Sequence, residues 1–434
     1  MRKRIVFRLA AAITLFVFVF TACKQEISEK SEVTDSGITS SIQTEATHMT
    51  EDSQPMTSRE EESTLQTSKK ETTKSNTSNR TTTSKSALYP PTADGQTYIP
   101  TKSNVIPVTR ENVKICGRCY ESEGNLAFSN TYSGIEFAFY GAALAVEFGS
   151  TSYAANLEAY ATIFVDNLTP IVVKITSHKF YIVAKNLDSK KIHNVKIAKR
   201  SESNAAAMII KTIKIPVNGR LYTAKENKTG RRIQVLGDSI TCGVGNLYVS
   251  GDTTNSLAYE DGCHTYATML ADYYHAELDI VAVSGIGIGN SKNEPWPLLP
   301  LYKKEDNRSA VSYDFESFVP QVVIISLGTN DDAYGNTGDE FYANACEYIY
   351  TIRENYPGAY IIWTYGVMSQ SNMNNIKKVI NDLKNLGDKK LFFVPLDIPT
   401  GGELPIGMYG HPSIKSHQCI AKVLETKISE LTGW

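Results

Sequence analysis

Arg232-Ile-Gln-Val-Leu-Gly-Asp-Ser-Ile-Thr-Cys-Gly-Val-Gly245 decides how the C-terminal half of this chain folds. The mostly apolar run Ile233 to Leu236 is stopped at once by Gly237-Asp238-Ser239. Such a run ended by glycine reads as a buried strand that turns sharply. A serine just past the strand presents its hydroxyl at the sheet edge, and its own N–H can face a developing oxyanion. The same texture repeats outward from this stretch. Leu278-Asp-Ile-Val-Ala-Val, Val322-Val-Ile-Ile-Ser-Leu, Tyr360-Ile-Ile-Trp-Thr-Tyr and Leu391-Phe-Phe-Val-Pro-Leu read as strands. Helical spacing covers 266–274, 341–355 and 375–386, and a last helix is expected to start near Pro412. Strand alternating with helix implies an α/β fold with a parallel sheet covered on both faces. In such sheets the site lies beyond the carboxyl ends of the strands.

Two more of those strands are followed by loops of unusual composition. Val283-Ser-Gly-Ile-Gly-Ile-Gly-Asn contains Gly285, whose backbone N–H no side chain obstructs, and Ser326-Leu-Gly-Thr-Asn-Asp-Asp contains the Asn330 amide. With the N–H of Ser239 these are candidate oxyanion donors, while Asp331 and Asp332 read as braces for their loop. Near the end comes Gly410-His-Pro-Ser-Ile-Lys, with His411 directly before a proline suited to a first helical position. His411 is therefore expected at the mouth of the last helix, facing the loops. His264, His275 and His417 are its rivals in this half. Tyr302, Trp296, Tyr334 and Tyr409 are candidate stacking platforms for a substrate, each with ordinary packing as the alternative.

Residues 104 to 225 have a different character. Short runs such as Ile135-Glu-Phe-Ala-Phe-Tyr, Ala161-Thr-Ile-Phe-Val and Ile171-Val-Val-Lys-Ile, with turn residues between them, read as an all-β sandwich of the jelly-roll kind, assigned to 100–225. The α/β part is assigned to 230–434. Cys116-Gly-Arg-Cys119 has redox or zinc spacing, but no second pair completes a metal site, and a structural or merely spaced pair is the reading taken. No metal or cofactor is expected.

The N-terminus carries Arg2, Lys3, Arg4 and Arg8 before an apolar stretch, then Phe20-Thr-Ala-Cys23. That order is an export signal, and its ending resembles a bacterial lipoprotein box with Cys23 as the lipidated residue; plain secretion is the alternative. Segment 1–23 is read as the signal and 24–95 as a stalk. Of the 65 residues from 24 to 88, 27 are Ser or Thr and none is aromatic, so the stretch cannot offset its ordering entropy by burial. Six cysteines remain in 434 residues, too sparse for a disulfide scaffold. A net charge of −2 and a pI near 6.4 argue against a nucleic-acid partner. The expected location is the exported cell surface, lipid-anchored to a bacterial membrane.

The four blocks Ser239, Gly285, Asn330 and His411 resemble those of the SGNH, or GDSL, hydrolase superfamily. Gly117-Arg118, Tyr132-Ser-Gly-Ile-Glu-Phe-Ala-Phe, Val165-Asp-Asn, the run His193 to Glu202 and Arg232 to Thr241 extend the resemblance to the second family of carbohydrate esterases. The resemblance implies a jelly roll before a three-layer, flavodoxin-like SGNH domain. It also implies removal of acetyl groups from acetylated polysaccharides such as xylan or glucomannan, with preference for the primary 6-hydroxyl. Ser239 would be the nucleophile and His411 its base. Two positions depart from the pattern. Met408 stands where an Asp commonly orients the imidazole, and Gly410 stands where a tryptophan often precedes the His. Some relatives use a main-chain carbonyl in place of the Asp, which makes a Ser239–His411 dyad the expectation. An esterase for peptidoglycan acetyl groups or lipids, and a glycan-binding protein without catalysis, are the competing readings.

Overall fold

Alternation with a period of two builds the N-terminal half. In the strand Gly134–Tyr140 the side chains of Ile135, Phe137 and Phe139 all enter the core, while Glu136 and Tyr140 face away. The long strand Ala206–Pro216 sends Ala206, Met208 and Ile210 inward, then Ile213 and Ile215. The switch from even to odd positions occurs at a register shift between Ile210 and Thr212. One extra residue there keeps the apolar set on the buried face, where a plain strand would have turned it to solvent.

The computed structural model describes residues 92–93, 102–152, 157–176, 178–249, 256–289, 297–398 and 404–434. Segment 1–23, all of 24–95 except Thr92–Ala93, and Trp296 and Glu403 lie outside them. Thr92 and Ala93 pair in parallel with Val172 and Val173, so these two residues, read from the sequence as part of the 24–95 stalk, join a sheet. Two sheets, otherwise antiparallel, form the sandwich. One centres on Ala159–Val165, Ile192–Lys199 and Gly134–Tyr140, the other on Leu144–Ser152 and Ala206–Pro216. A single core of Phe128, Phe137, Phe139, Phe148, Ile163 and Met208, among others, joins them.

The last sandwich strand is Arg220–Thr223, and Arg232–Gly237 begins a five-stranded parallel sheet. Its spatial order is Glu277–Ala282, Arg232–Gly237, Val322–Ser326, Tyr360–Tyr365, Leu391–Pro395. The second strand in sequence thus lies outside the first, and the next three follow on the other side. Helices Gly338–Asn355 and Met373–Asn385 cover one face through Phe341, Ile349, Ile376 and Ile380. Helices Tyr266–Tyr274 and Ile414–Thr432 cover the other through Tyr266, Leu270, Ile420 and Leu424. The last helix begins later than its proline suggests. Ile414 is its first residue, and the Ser413 hydroxyl caps it by accepting from Ser416 N. Pro412 bridges to Ile406 instead. The Ser413 hydroxyl accepts a first-turn N–H, for which proline has no side-chain acceptor, so the helix starts just after the serine. None of the six described cysteines is bonded to another. Burial pushes the Cys116 thiol up to about 12 and Cys119 to about 11, values unsuited to a reactive thiolate.

Candidate active site

Sharp turns at the carboxyl end of the sheet bring together residues far apart in the chain. Strand Arg232–Gly237 stops at Gly237, where a Cβ would lie 2.0 Å from Thr241 Oγ1. Asp238 then caps the short helix Ser239–Cys242, its Oδ1 accepting from Ile240 N at 3.0 Å. Gly243, at φ +78°, closes that helix. Ser239 is thereby held, half-buried, just beyond the strand. Burial pushes the Asp238 carboxyl up to about 7, and the charge of Asp331 adds to the rise. A carboxyl that is partly neutral opposes negative charge developing beside Ser239 less than a full carboxylate does.

His411 reaches this turn from the other end of the chain. Its Nε2 lies 2.8 Å from Ser239 Oγ, and its Nδ1 lies 3.0 Å from the Met408 carbonyl oxygen. A carbonyl only accepts, so Nδ1 carries the proton and Nε2 is left as the acceptor for the serine hydroxyl. Met408 stands where the sequence comparison placed a missing Asp, and its main chain makes the contact that a carboxylate would make. That carbonyl is fixed from several sides. Met408 N donates to Gly245 O at 3.0 Å, His411 N donates to Met408 O at 3.1 Å, and Gly407 N donates to His411 O at 2.8 Å. A Cβ on Gly245 would approach Met408 Cβ to 2.5 Å, so the serine loop and the histidine loop pack backbone to backbone. Burial lowers the His411 pKa, partly offset by the Met408 hydrogen bond.

The other two loops arrive after their own strands. Gly285 has φ +78°, is exposed, and has open space where a Cβ would point. Asn330, in the short helix Thr329–Ala333, donates one amide hydrogen to Ile286 O at 2.8 Å, tying its loop to the Gly285 loop. Asp331 accepts from Ile288 N, Gly289 N and the Asn336 amide at 2.7–3.1 Å, and Asp332 accepts from Ser369 Oγ at 2.6 Å. Burial raises the Asp331 pKa.

The rival histidines are engaged elsewhere. His264 pairs with Asp261 at 2.8 Å, His275 ends a helix at φ +50°, and His417 is wholly buried and pushed down to about 3 by that burial. Of the candidate platforms, Tyr302 is corrected. It is 0% exposed, with its hydroxyl on Gln234 Oε1 at 3.1 Å, so it is a core residue that cannot stack on a sugar. Tyr334 is 47% and Tyr409 67% exposed. Tyr409 has φ +57°, a conformation costing a non-glycine residue about 1–2 kcal/mol, and it sits two residues before His411. Among the described residues no cluster of His, Cys, Asp and Glu is able to hold a metal ion.

Comparison with known proteins adds names to this geometry. Residues 235–418 match the GDSL-like Lipase/Acylhydrolase family, and residues 115–224 match the Carbohydrate esterase 2 N-terminal family. The cellulase/esterase CelE of Acetivibrio thermocellus is 30% identical over 312 residues, 70% of this chain. The chain spans only 37% of that protein's length. An acetylxylan esterase / glucomannan deacetylase of Cellvibrio japonicus is 26% identical over 337 residues, covering 72% of this chain and 89% of the relative. A solved family two carbohydrate esterase from Clostridium thermocellum, in complex with cellohexaose, is 28% identical with a TM-score of 0.67, covering 74% of this chain and 99% of that one. The two family matches fall in turn on the sandwich and on the sheet that carries Ser239, so the chain carries a carbohydrate esterase 2 N-terminal domain over residues 115–224 and a GDSL-like lipase/acylhydrolase domain over residues 235–418.

Proposed function

We propose that this protein is a serine esterase that removes O-acetyl groups from cell-wall polysaccharides of plants. The hydrogen-bonded series Ser239 Oγ, His411 Nε2, His411 Nδ1, Met408 O carries the reading. Ser239 attacks the acetyl carbonyl while His411 takes its proton. The imidazolium, stabilised by the Met408 carbonyl, then returns the proton to the leaving sugar oxygen. Water hydrolyses the acyl-enzyme by the same route in reverse. The N–H groups of Ser239 and Gly285 and the free hydrogen of the Asn330 amide hold the oxyanion. No step calls for a metal or cofactor.

Xylan and glucomannan are proposed as substrates because relatives carry those names, with the acetyl on a primary 6-hydroxyl as the preferred position. Tyr409 and Tyr334 are the exposed aromatic faces available to a sugar; the structure does not describe Trp296. The jelly-roll connectivity and three-layer arrangement belong to the same reading, supported by the two antiparallel sheets and by helices on both faces of the parallel one. So does export, with anchoring to the bacterial membrane through a lipid on Cys23. A second reading is favoured by the relative solved with cellohexaose, an unacetylated glucan: glycan binding without turnover.

Acetate release from 4-nitrophenyl acetate, acetylated xylan and acetylated glucomannan by the full chain and by Ser239→Ala separates the two. Release that disappears in the variant is expected. Tight binding of unacetylated glycan with no release from either protein would establish the second reading.

A further inference from the structure

The run Lys199-Arg-Ser-Glu-Ser-Asn204 belongs to the sandwich, yet it reaches the oxyanion loop. Glu202 Oε2 accepts from Ser284 N at 2.8 Å, and Asn204 Nδ2 donates to Ser284 O at 3.3 Å. The Ser284 carbonyl and the Gly285 N–H are two ends of one planar, trans peptide unit, so they point in opposite directions. Gripping the carbonyl from the sandwich side therefore turns the Gly285 N–H away from the sandwich, at a glycine that is itself exposed. Without a grip, a glycine after this peptide permits it to rotate, because glycine adopts positive and negative φ with similar ease.

The gripping run is itself immobilised. Lys199 Nζ donates to the carbonyls of Ser201 and Glu202, Glu202 N donates to the Glu260 carboxylate, and Arg308 Nη2 donates to Ser203 O at 2.6 Å. Lys199, Glu202 and Glu260 are all buried. A buried carboxylate left without its donors is costly, which favours Glu202 staying on Ser284 N.

We infer that Glu202 and Asn204 are positioning residues for ester hydrolysis: the sandwich domain sets the direction of the Gly285 N–H by holding both backbone groups of Ser284. The inference rests on the reading of Gly285 as an oxyanion donor. It gives the N-terminal domain a part in the reaction beyond packing.

The test compares Asn204→Ala, Glu202→Ala and Glu202→Gln with wild type and Ser239→Ala in the full chain, measuring kcat and KM for 4-nitrophenyl acetate alongside thermal unfolding. Losing an oxyanion donor outright costs about 10²–10³ in rate, so mis-aiming one is expected to lower kcat about 10–10²-fold in Glu202→Ala and about 3–10-fold in Asn204→Ala. KM stays near wild type. Glu202→Gln keeps an oxygen acceptor for Ser284 N and restores most of the rate. Folded alanine variants with wild-type kcat overturn the inference while an inert Ser239→Ala leaves the esterase reading standing. Should Glu202→Ala fail to fold, Asn204→Ala decides alone, since Asn204 is on the surface. A fully active Ser239→Ala removes the reading and the inference with it.

Discussion

The two ends of the parallel sheet meet the sandwich in opposite ways. Towards the amino ends of the strands, Arg118 from the sandwich reaches Asp279 at 3.2 Å, both side chains only 1% exposed. Its Nη1 donates to the carbonyls of Tyr302 and Lys304, and its guanidinium lies 3.6 Å from the centre of the Tyr313 ring. A cleft of about 820 Å³ opens there between the domains, and on its wall Lys114 and Arg232 both pair with Glu277. Charge at that end is matched by charge. At the carboxyl ends the sandwich offers Glu202 and Asn204 to the backbone of Ser284, next to the exposed Gly285, while His411 holds the Ser239 hydroxyl. Buried charge pairs tie the domains together at one end; side chains set on a backbone shape the candidate site at the other.

Variants at the two ends should therefore fail differently. The largest effect is expected at the carboxyl end, where Ser239→Ala or His411→Ala lowers kcat about 10⁵–10⁶-fold, with the unfolding midpoint little changed. An active Ser239→Ala would dissolve the contrast. Next comes Arg118→Ala, which leaves Asp279 buried without its partner and should cost about 3–5 kcal/mol of stability. Denaturant unfolding measures it, and kcat of the folded fraction stays at the wild-type value; a fall in kcat with unchanged stability would put Arg118 in the wrong class. The pH dependence is a gentler probe. His411 must be neutral to accept the Ser239 proton, and burial lowers its pKa, so kcat/KM falls on acidification with a half-point below the ordinary 6.5. A half-point above 6.5 would point to a carboxylate partner for the imidazole. The smallest effect is expected for Asp397→Asn. Asp397 is exposed and His411 already has the Met408 carbonyl, so kcat should stay within about threefold of wild type, because a surface substitution away from the hydrogen-bonded chain disturbs little. A large loss would assign the orienting role to that acid.

Local pattern alone carried much of this molecule. Apolar runs ended by Gly237, Gly285 and Gly328 announce strands that turn sharply, because burial on both faces demands continuous apolar residues and the turns demand glycine. The order of Ser239, Gly285, Asn330 and His411 along the chain was likewise readable, since each follows its own strand. Three things depended on residues distant in sequence. Tyr302 looked available until packing against Gln234 and Phe315 closed over it. The partner of His411 is a main-chain oxygen, and every residue type has one, so only the fold of 407–411 against Gly245 selects it. Glu202 meets Ser284 across 82 residues and a domain boundary. Side-chain chemistry is written in the sequence, but backbone groups are identical from residue to residue, and tertiary packing alone decides which of them face a substrate.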